Sequence, residues 1–188
     1  MIAAGNPSML LTYGHGTETA ERTAAILKAA AIGLVIDIRI APGSKRNPQF
    51  ARAELERWLP DAGIGYRWEK RLGGFRKPSA GNPDTAWRVD MFRGYAEHMR
   101  GAEFLAAIGA ILAEAAAPRS SAVAVMCSES SWRSCHRRLV SDFAQVARGV
   151  LVRHLAHDAT LEDHQPSDGL RLREDGLLVY DGGQPSLI

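Results

Sequence analysis

Residues 123–143 read VAVMCSESSWRSCHRRLVSDF, and this stretch decides the fold of the chain. An apolar run typical of a buried strand comes first, a polar turn follows, and the last part carries apolar residues at helical spacing. Both cysteines of the chain, Cys127 and Cys135, lie in this stretch. In open α/β sheets, ligands bind beyond the carboxyl ends of the strands, where such turns lie. The stretch therefore predicts a strand, a candidate site and a helix in succession.

Strands and helices alternate on both sides of this stretch. The patterns predict strands at 9–13, 34–38, 66–68, 123–126 and 151–155, and helices after Thr17 and at 51–59, 92–99, 102–117 and 135–148. The nearly continuous apolar run LVIDI at 34–38 is typical of a parallel strand that is covered on both faces. The chain is therefore predicted to be an α/β protein, a three-layer α/β/α domain with a mostly parallel sheet.

The character of the sequence changes beyond residue 156. Residues 158–168 are polar, and residues 170–180 contain two short strand patterns around Asp175-Gly176, a dipeptide typical of hairpin turns. We predict a single α/β domain at 1–156 and a C-terminal extension at 157–188 with a short β-hairpin packed on the domain.

Composition narrows the class of protein. The chain has 188 residues and a formal net charge of +2, so its overall charge does not favour nucleic-acid binding. No apolar run approaches the roughly 20 residues of a membrane span, and the N-terminus lacks the pattern of a secretory signal. Two cysteines do not make a disulfide scaffold. We expect a cytoplasmic protein with reduced thiols and no membrane association; the sequence does not indicate its oligomeric state.

Reactive side chains follow three of the predicted strands. His15 follows the first strand, Arg39 the second and Cys127 the fourth. If these strands are parallel, the three side chains meet at one edge of the sheet. Cys127 would serve there as a nucleophile or a polar support and His15 as a general acid or base. Glu129 would orient a neighbour or act as the acid or base itself.

Positive side chains lie near the same edge. Arg39, Lys45, Arg46 and Arg137 would hold an anion, and His136 precedes Arg137 near the start of a helix, where exposed amides also favour anions. The ordinary alternative is that these charged groups pair with carboxylates of the same edge.

Residues 72–89 form a long connection with three glycines, two prolines and the basic residues Arg76 and Lys77. Connections of this length are usually functional or disordered. A flap that covers the substrate and a surface loop without a role both remain open.

Several short motifs occur in one order. They are TYGHG at 12–16, VIDIR at 35–39, PGSKRNPQF at 42–50, LGG at 72–74, FRGYA at 92–96, MCSE at 126–129 and CHR at 135–137. Over roughly residues 11–155, the chain resembles the domain-of-unknown-function family 488. The resemblance implies a compact α/β fold with a site where these motifs meet, and it implies no established activity. The chain departs from the family at Gly16, where Ser is more usual, and in the Ser-rich segment 130–134.

Purely structural roles for the two cysteines compete with a functional site. Free cysteine is among the most buried residue types, so Cys127 could be a small core residue, and Cys135 is predicted to share the buried face of a helix. The spacing from Cys127 to Arg133 matches the Cys-x5-Arg loop of thiol-dependent phosphatases. The match is weak because the loop has no glycine and contains Glu129.

A metal site is the remaining chemical alternative at this stretch. The Cys-x7-Cys-His pattern is not a zinc-finger spacing, and the adjacent side chains of Cys135 and His136 would diverge on a helix. We therefore expect no metal and no cofactor.

The leading hypothesis is an enzyme that binds a phosphate-bearing or other small anionic ligand at the carboxyl edge of its sheet. The alternative is a non-catalytic nucleotide or nucleic-acid binding module that uses the basic segments around Lys45 and Arg76. A purely structural role is a third alternative.

Overall fold

The computed structural model describes residues 9–43 and 45–183. Its elements are β1 Met9–Gly14, α1 Ala20–Ala29, β2 Ile32–Asp37, α2 Arg52–Asp61, β3 Gly65–Trp68, α3 Asp90–His98, α4 Ala102–Ala116, β4 Ala122–Cys127, α5 Arg137–Asp142, β5 Leu151–Leu155, β6 Leu161–Asp163, β7 Leu170–Leu172 and β8 Leu178–Tyr180. Within these ranges, no helix is both long enough and apolar enough to cross a bilayer.

The main sheet has six strands in the order β3-β2-β4-β1-β5-β6. Strands β1 to β5 pair in parallel, and β6 runs antiparallel to β5. Strands β7 and β8 form a separate antiparallel hairpin. The predicted α/β class, the mostly parallel sheet and the C-terminal hairpin are confirmed. Strand β6 had no sequence signal because all three of its residues are exposed. It joins the main sheet from the predicted extension, and the division at residue 156 stays a prediction.

Two apolar cores lie on opposite faces of the sheet. Alternating side chains of a strand enter different cores, as the two-residue period of a strand requires. Leu10 and Val125 pack with residues of α3, α4 and α5, whereas Leu11 and Ala124 pack with residues of α1 and α2. This alternation produces the predicted three layers.

Two helix starts differ from the sequence prediction. The side chain of Thr19, not Thr17, caps α1 by accepting a hydrogen bond from the backbone N–H of Arg22. The helix predicted to start at Cys135 begins at Arg137, and after α5 it continues as a π-helical turn at Phe143–Ala147. Cys135 itself is extended, with φ −124° and ψ 150°, after a short 3-10 turn at Trp132–Ser134. Its side chain therefore leaves the backbone before the helix starts.

Candidate functional site

The carboxyl ends of the three neighbouring strands β2, β4 and β1 lie side by side. Gly14 pairs with Cys127, and Asp37 pairs with Met126. The backbone N–H of His15 donates to the carbonyl of Cys127 at 3.1 Å. The segments that carry His15, Arg39 and Cys127 thus meet at one edge of the sheet.

A cavity of about 240 Å³ opens at this edge. Its walls combine a few polar groups with apolar side chains from the loops. The lining residues are Arg39, Ile40, Ala41, Gly74, Phe75, Met91, Cys127, Ser128, Glu129, Ser134, Cys135 and His136. Four of the predicted site residues, Arg39, Cys127, Glu129 and His136, therefore share one cavity.

Cys127, Cys135 and His136 form a cluster in the wall of this cavity, which we call the Cys–Cys–His cluster. The Nδ1 atom of His136 lies 3.7 Å from Sγ of Cys127 and 3.7 Å from Sγ of Cys135. The Nε2 atom lies 3.0 Å from the carbonyl oxygen of Ile38. Because a carbonyl only accepts, Nε2 carries a hydrogen and donates it. In the neutral ring, Nδ1 therefore presents its lone pair to both sulfurs.

The convergence of Cys135 and His136 overturns the expectation that their side chains diverge. That expectation assumed a helical backbone at Cys135, and the backbone there is extended. The predicted burial of Cys135 is confirmed, and Cys127 is also buried. Both thiols are nevertheless among the groups that line the cavity.

The two thiols do not ionise alike. Burial opposes ionisation of Cys135, but a hydrogen bond from Cys127, the hydrogen bond and charge of His136 in its protonated form, and the charge of Arg137 outweigh it and hold the pKa of Cys135 well below its usual value. The interaction with Cys135, together with burial, raises the pKa of Cys127 well above its usual value. The backbone N–H of Arg137 also donates to Sγ of Cys135 at 3.5 Å. The sequence placed Cys135 only in the core, whereas the structure surrounds its sulfur with hydrogen-bond donors.

His15 is buried, and both of its ring nitrogens are engaged. Its Nδ1–H donates to the carbonyl of Gly16 at 2.9 Å, and its Nε2 accepts from Nη1 of Arg39 at 3.2 Å. Burial, followed by the charge of Arg39, lowers the pKa of His15 to about 4. The ring stacks on Phe50 with 3.9 Å between centroids and lies outside the described lining of the cavity. In this structure His15 supports Arg39, and its role as an acid or base stays a prediction.

Arg39 is held rigidly while it lines the cavity. Its Nε and Nη2 donate to the buried carboxylate of Asp37, Nη2 also donates to the carbonyl of Phe50, and Nη1 donates to His15. The hydroxyl of Tyr66 donates to the same carboxylate at 2.9 Å. Of the five N–H donors of the guanidinium, these contacts leave one on Nη1 for a ligand.

Arg137 lies beneath the loop that carries Glu129. Its Nη1 donates to Oγ1 of Thr12 at 3.3 Å, and its Nη2 donates to the carbonyls of Glu129 and Ser130. A Cβ atom on Gly14 would lie 2.4 Å from Nη2, so this close approach requires glycine. Arg137 therefore positions the cavity wall, and its role as an anion ligand stays a prediction.

Three other predicted site residues are exposed. Glu129 lines the cavity with an exposed side chain. Lys45 and Arg46 are exposed on the loop that follows Ala41, outside the described lining of the cavity. The structure thus places Glu129 at the cavity and the two basic residues farther along an adjoining loop.

Most of the loop at residues 73–89 is attached to α3. The carboxylate of Glu97 accepts hydrogen bonds from the backbone of Ser79 and the side chain of Asn82. A Cβ atom on Gly94 would lie 2.5 Å from the carbonyl oxygen of Arg76. Phe75 is 80% exposed at the cavity, with a φ of 60° that a non-glycine residue rarely adopts. Whether this loop covers a substrate stays a prediction.

Sequence reasoning missed a buried polar chain behind the site. The hydroxyl of Thr12 donates to Nδ1 of His154 at 2.7 Å, Nε2 of His154 lies 2.9 Å from Nδ1 of His164, and Nε2 of His164 lies 2.9 Å from the carboxylate of Asp142. Burial, followed by the influence of His164, lowers the pKa of His154 to about 3. Thr12 also accepts a hydrogen bond from Arg137, so this series of hydrogen bonds connects His164 to the loop that carries Glu129.

Comparison with known proteins identifies a family whose activity is not established. The family model described as "Domain of unknown function DUF488" matches residues 19–144. Neither a curated protein nor a solved structure matches the chain. The match covers more than half of the chain and confirms the resemblance seen in the sequence motifs. The protein belongs to the domain-of-unknown-function family DUF488.

Proposed function

We propose that this protein is an enzyme that binds a small anionic ligand in the cavity and acts on it at the Cys–Cys–His cluster. One observation carries the proposal: two thiols and an imidazole of fixed orientation converge on a cavity of about 240 Å³. A concave site with apolar walls and a few convergent polar groups is the usual form of a small-molecule site. The cavity size suits a small metabolite rather than a polymer.

The charges around the cavity support an anionic group on the ligand. Arg39 offers its remaining N–H, and Ser128 and Ser134 offer hydroxyl groups. Lys45 and Arg46 add a positive field from the adjoining loop. Because the guanidinium of Arg39 is already paired with Asp37, the site favours a ligand with one or two negative charges over a polyphosphate.

Glu129 is suited to proton transfer in this site. Its carboxylate is exposed at the cavity, while its backbone carbonyl is held by Arg137. A carboxylate positioned at the mouth of a cavity can give or take a proton from a ligand that reaches the cluster. Of the two predicted candidates for the acid or base, His15 and Glu129, this proposal therefore favours Glu129.

A second candidate is a nucleic-acid binding module, and one observation favours it. Phe75 is exposed and is followed by Arg76 and Lys77, a combination that stacks on bases and attracts phosphates. In this candidate the thiols are inert, and binding weakens steeply with salt.

The test is the alkylation of the cluster thiols in reduced, metal-free protein. We expect iodoacetamide to modify Cys127 or Cys135 in the folded chain, and inorganic phosphate to slow the reaction several-fold relative to chloride at equal ionic strength. The double variant Lys45→Ala, Arg46→Ala should weaken the protection, whereas Lys28→Ala on α1 should not. Inert thiols, or alkylation that phosphate does not slow, would contradict the proposal. Inert thiols with salt-dependent RNA binding that Phe75→Ala abolishes would favour the second candidate.

A further inference from the structure

The Cys–Cys–His cluster has the dimensions of a zinc site. Zinc binds cysteine sulfur at about 2.3 Å and histidine nitrogen at about 2.05 Å in tetrahedral geometry, which places a sulfur and a nitrogen ligand about 3.6 Å apart. Both sulfur-to-Nδ1 distances in the cluster are 3.7 Å. All three donor atoms lie within 4.8 Å of one another. The two sulfur-to-nitrogen distances of the cluster therefore already match those around a tetrahedral zinc ion to within about 0.1 Å.

The hydrogen bonds around the cluster suit metal ligation. Histidine ligands of metals almost always donate their second ring N–H to a carboxylate, a carbonyl or water, which fixes the tautomer. His136 does so through Nε2 to the carbonyl of Ile38 and turns Nδ1 toward the sulfurs. The backbone N–H of Arg137 faces Sγ of Cys135, as a thiolate ligand requires.

We propose that Cys127, Cys135 and His136 bind one Zn²⁺ ion, with the fourth coordination position open to the cavity. Sulfur and imidazole ligands in tetrahedral arrangement select zinc among the common divalent cations. In the bound state, the two thiolates would balance the two positive charges of the ion. Three protein ligands with an open position are the arrangement of catalytic rather than structural zinc sites.

This inference rests on the proposed function, because it assigns the metal to the same cavity. In such sites zinc acts as a Lewis acid or activates a bound water molecule. Glu129 lines the same cavity and would transfer the proton there. The ligand class then narrows to small anions that also present a polarisable bond to a metal centre.

The test is a Co²⁺ titration of the full chain in reduced, metal-free form. We expect one equivalent of Co²⁺ to bind, with near-ultraviolet sulfur-to-cobalt absorption of the strength of two thiolates and visible bands of a tetrahedral ion, and Zn²⁺ to displace it. Cys135→Ser should weaken binding by more than the roughly 10–100-fold that loss of an outer-shell partner costs. Ser131→Ala, which alters an exposed serine of the same loop outside the described lining of the cavity, should bind Co²⁺ as the wild type does.

Three results would overturn the inference: absence of sulfur-to-cobalt absorption, a spectrum of an octahedral ion, or equal effects of Cys135→Ser and Ser131→Ala. If Cys135→Ser does not fold, the intensity of the wild-type absorption still counts the sulfur ligands. The two proposals fail separately. If phosphate protects the thiols of a chain that does not bind Co²⁺, the metal site alone is refuted. If the chain binds Co²⁺ but phosphate does not protect its thiols from alkylation, the anionic ligand alone is refuted.

Discussion

Lowering the pH from 7.5 to 5 should destabilise the protein through His154. This residue is buried on β5, and its ring lies between Thr12 and His164 and stacks on Trp132. The charged and titratable groups that influence it are His164, Arg137, Glu162 and Arg133. Because its pKa falls from 6.5 to about 3 on folding, the unfolded chain takes up the proton first. The contribution of this pKa difference to the free energy of unfolding is therefore complete above pH 6.5 and is lost as the pH falls.

The magnitude follows from the two pKa values. At pH 5 the unfolded chain has bound the proton and the folded chain has not, so the loss is set by the 1.5 pH units below 6.5. At 1.36 kcal/mol per unit, this corresponds to about 2 kcal/mol. The folded pKa of about 3 lies well below pH 5, so His154 stays unprotonated in the folded chain at that pH. His15, whose pKa also falls, to about 4, adds a similar loss to the wild type.

The assay is urea denaturation at pH 7.5 and pH 5 for the wild type and His154→Gln. We expect the variant to be less stable at pH 7.5 but to lose about 2 kcal/mol less than the wild type between the two pH values. Val152→Ala, two residues earlier on the same strand, should lower stability without changing the pH dependence, because valine does not titrate. If His154→Gln keeps the full pH dependence of the wild type, the reasoning is refuted.

Three further predictions concern the packing around the cavity, and the first of them has a matched control. Gly94→Ala places a methyl group 2.5 Å from the carbonyl oxygen of Arg76 and should lower the free energy of unfolding by about 1–3 kcal/mol. In the control Gly109→Ala, the methyl group meets nothing within 4 Å and should raise the free energy of unfolding by about 0.5–1 kcal/mol. Equal effects of the two substitutions in urea denaturation would contradict this packing. Asp37→Asn leaves the buried guanidinium of Arg39 uncompensated and should cost about 3–5 kcal/mol, so thermal denaturation that matches the wild type would count against the pair. Gly74→Ala puts a methyl group 3.0 Å from Nδ1 of His136 and should slow alkylation of the cluster thiols while the chain stays folded; an unchanged rate would show that Gly74 does not border the reactive centre.

The sequence predicted the fold well wherever one element buries a regular face. Strands β1, β2, β4 and β5 are apolar runs, and their alternation with amphipathic helices indicated a parallel sheet with two covered faces. Their shared edge followed from the topology, which is why Arg39 and Cys127 could be placed near each other. Strand β6 could not be found, because its exposed residues have no apolar period.

The details of the site depended on backbone geometry that local patterns do not encode. Helical spacing continued through Cys135, so the extended backbone there and the resulting approach to His136 were missed. The hydrogen bond between Thr12 and His154 joins residues that are 142 positions apart and has no sequence signature. Arg137 carried the right charge for an anion ligand, but only the structure shows its donors directed to the carbonyls of the Glu129 loop.

The most direct test of the account is nuclear magnetic resonance of methyl-labelled methionines during a titration with inorganic phosphate. Met91 lines the cavity, whereas Met9 and Met99 pack in the two apolar cores. We expect the Met91 methyl signal to shift to saturation while those of Met9 and Met99 stay in place, and the shift to disappear in the Lys45→Ala, Arg46→Ala variant. An unchanged Met91 signal, or equal shifts of all three, would contradict the claim that this cavity is the anion-binding active site.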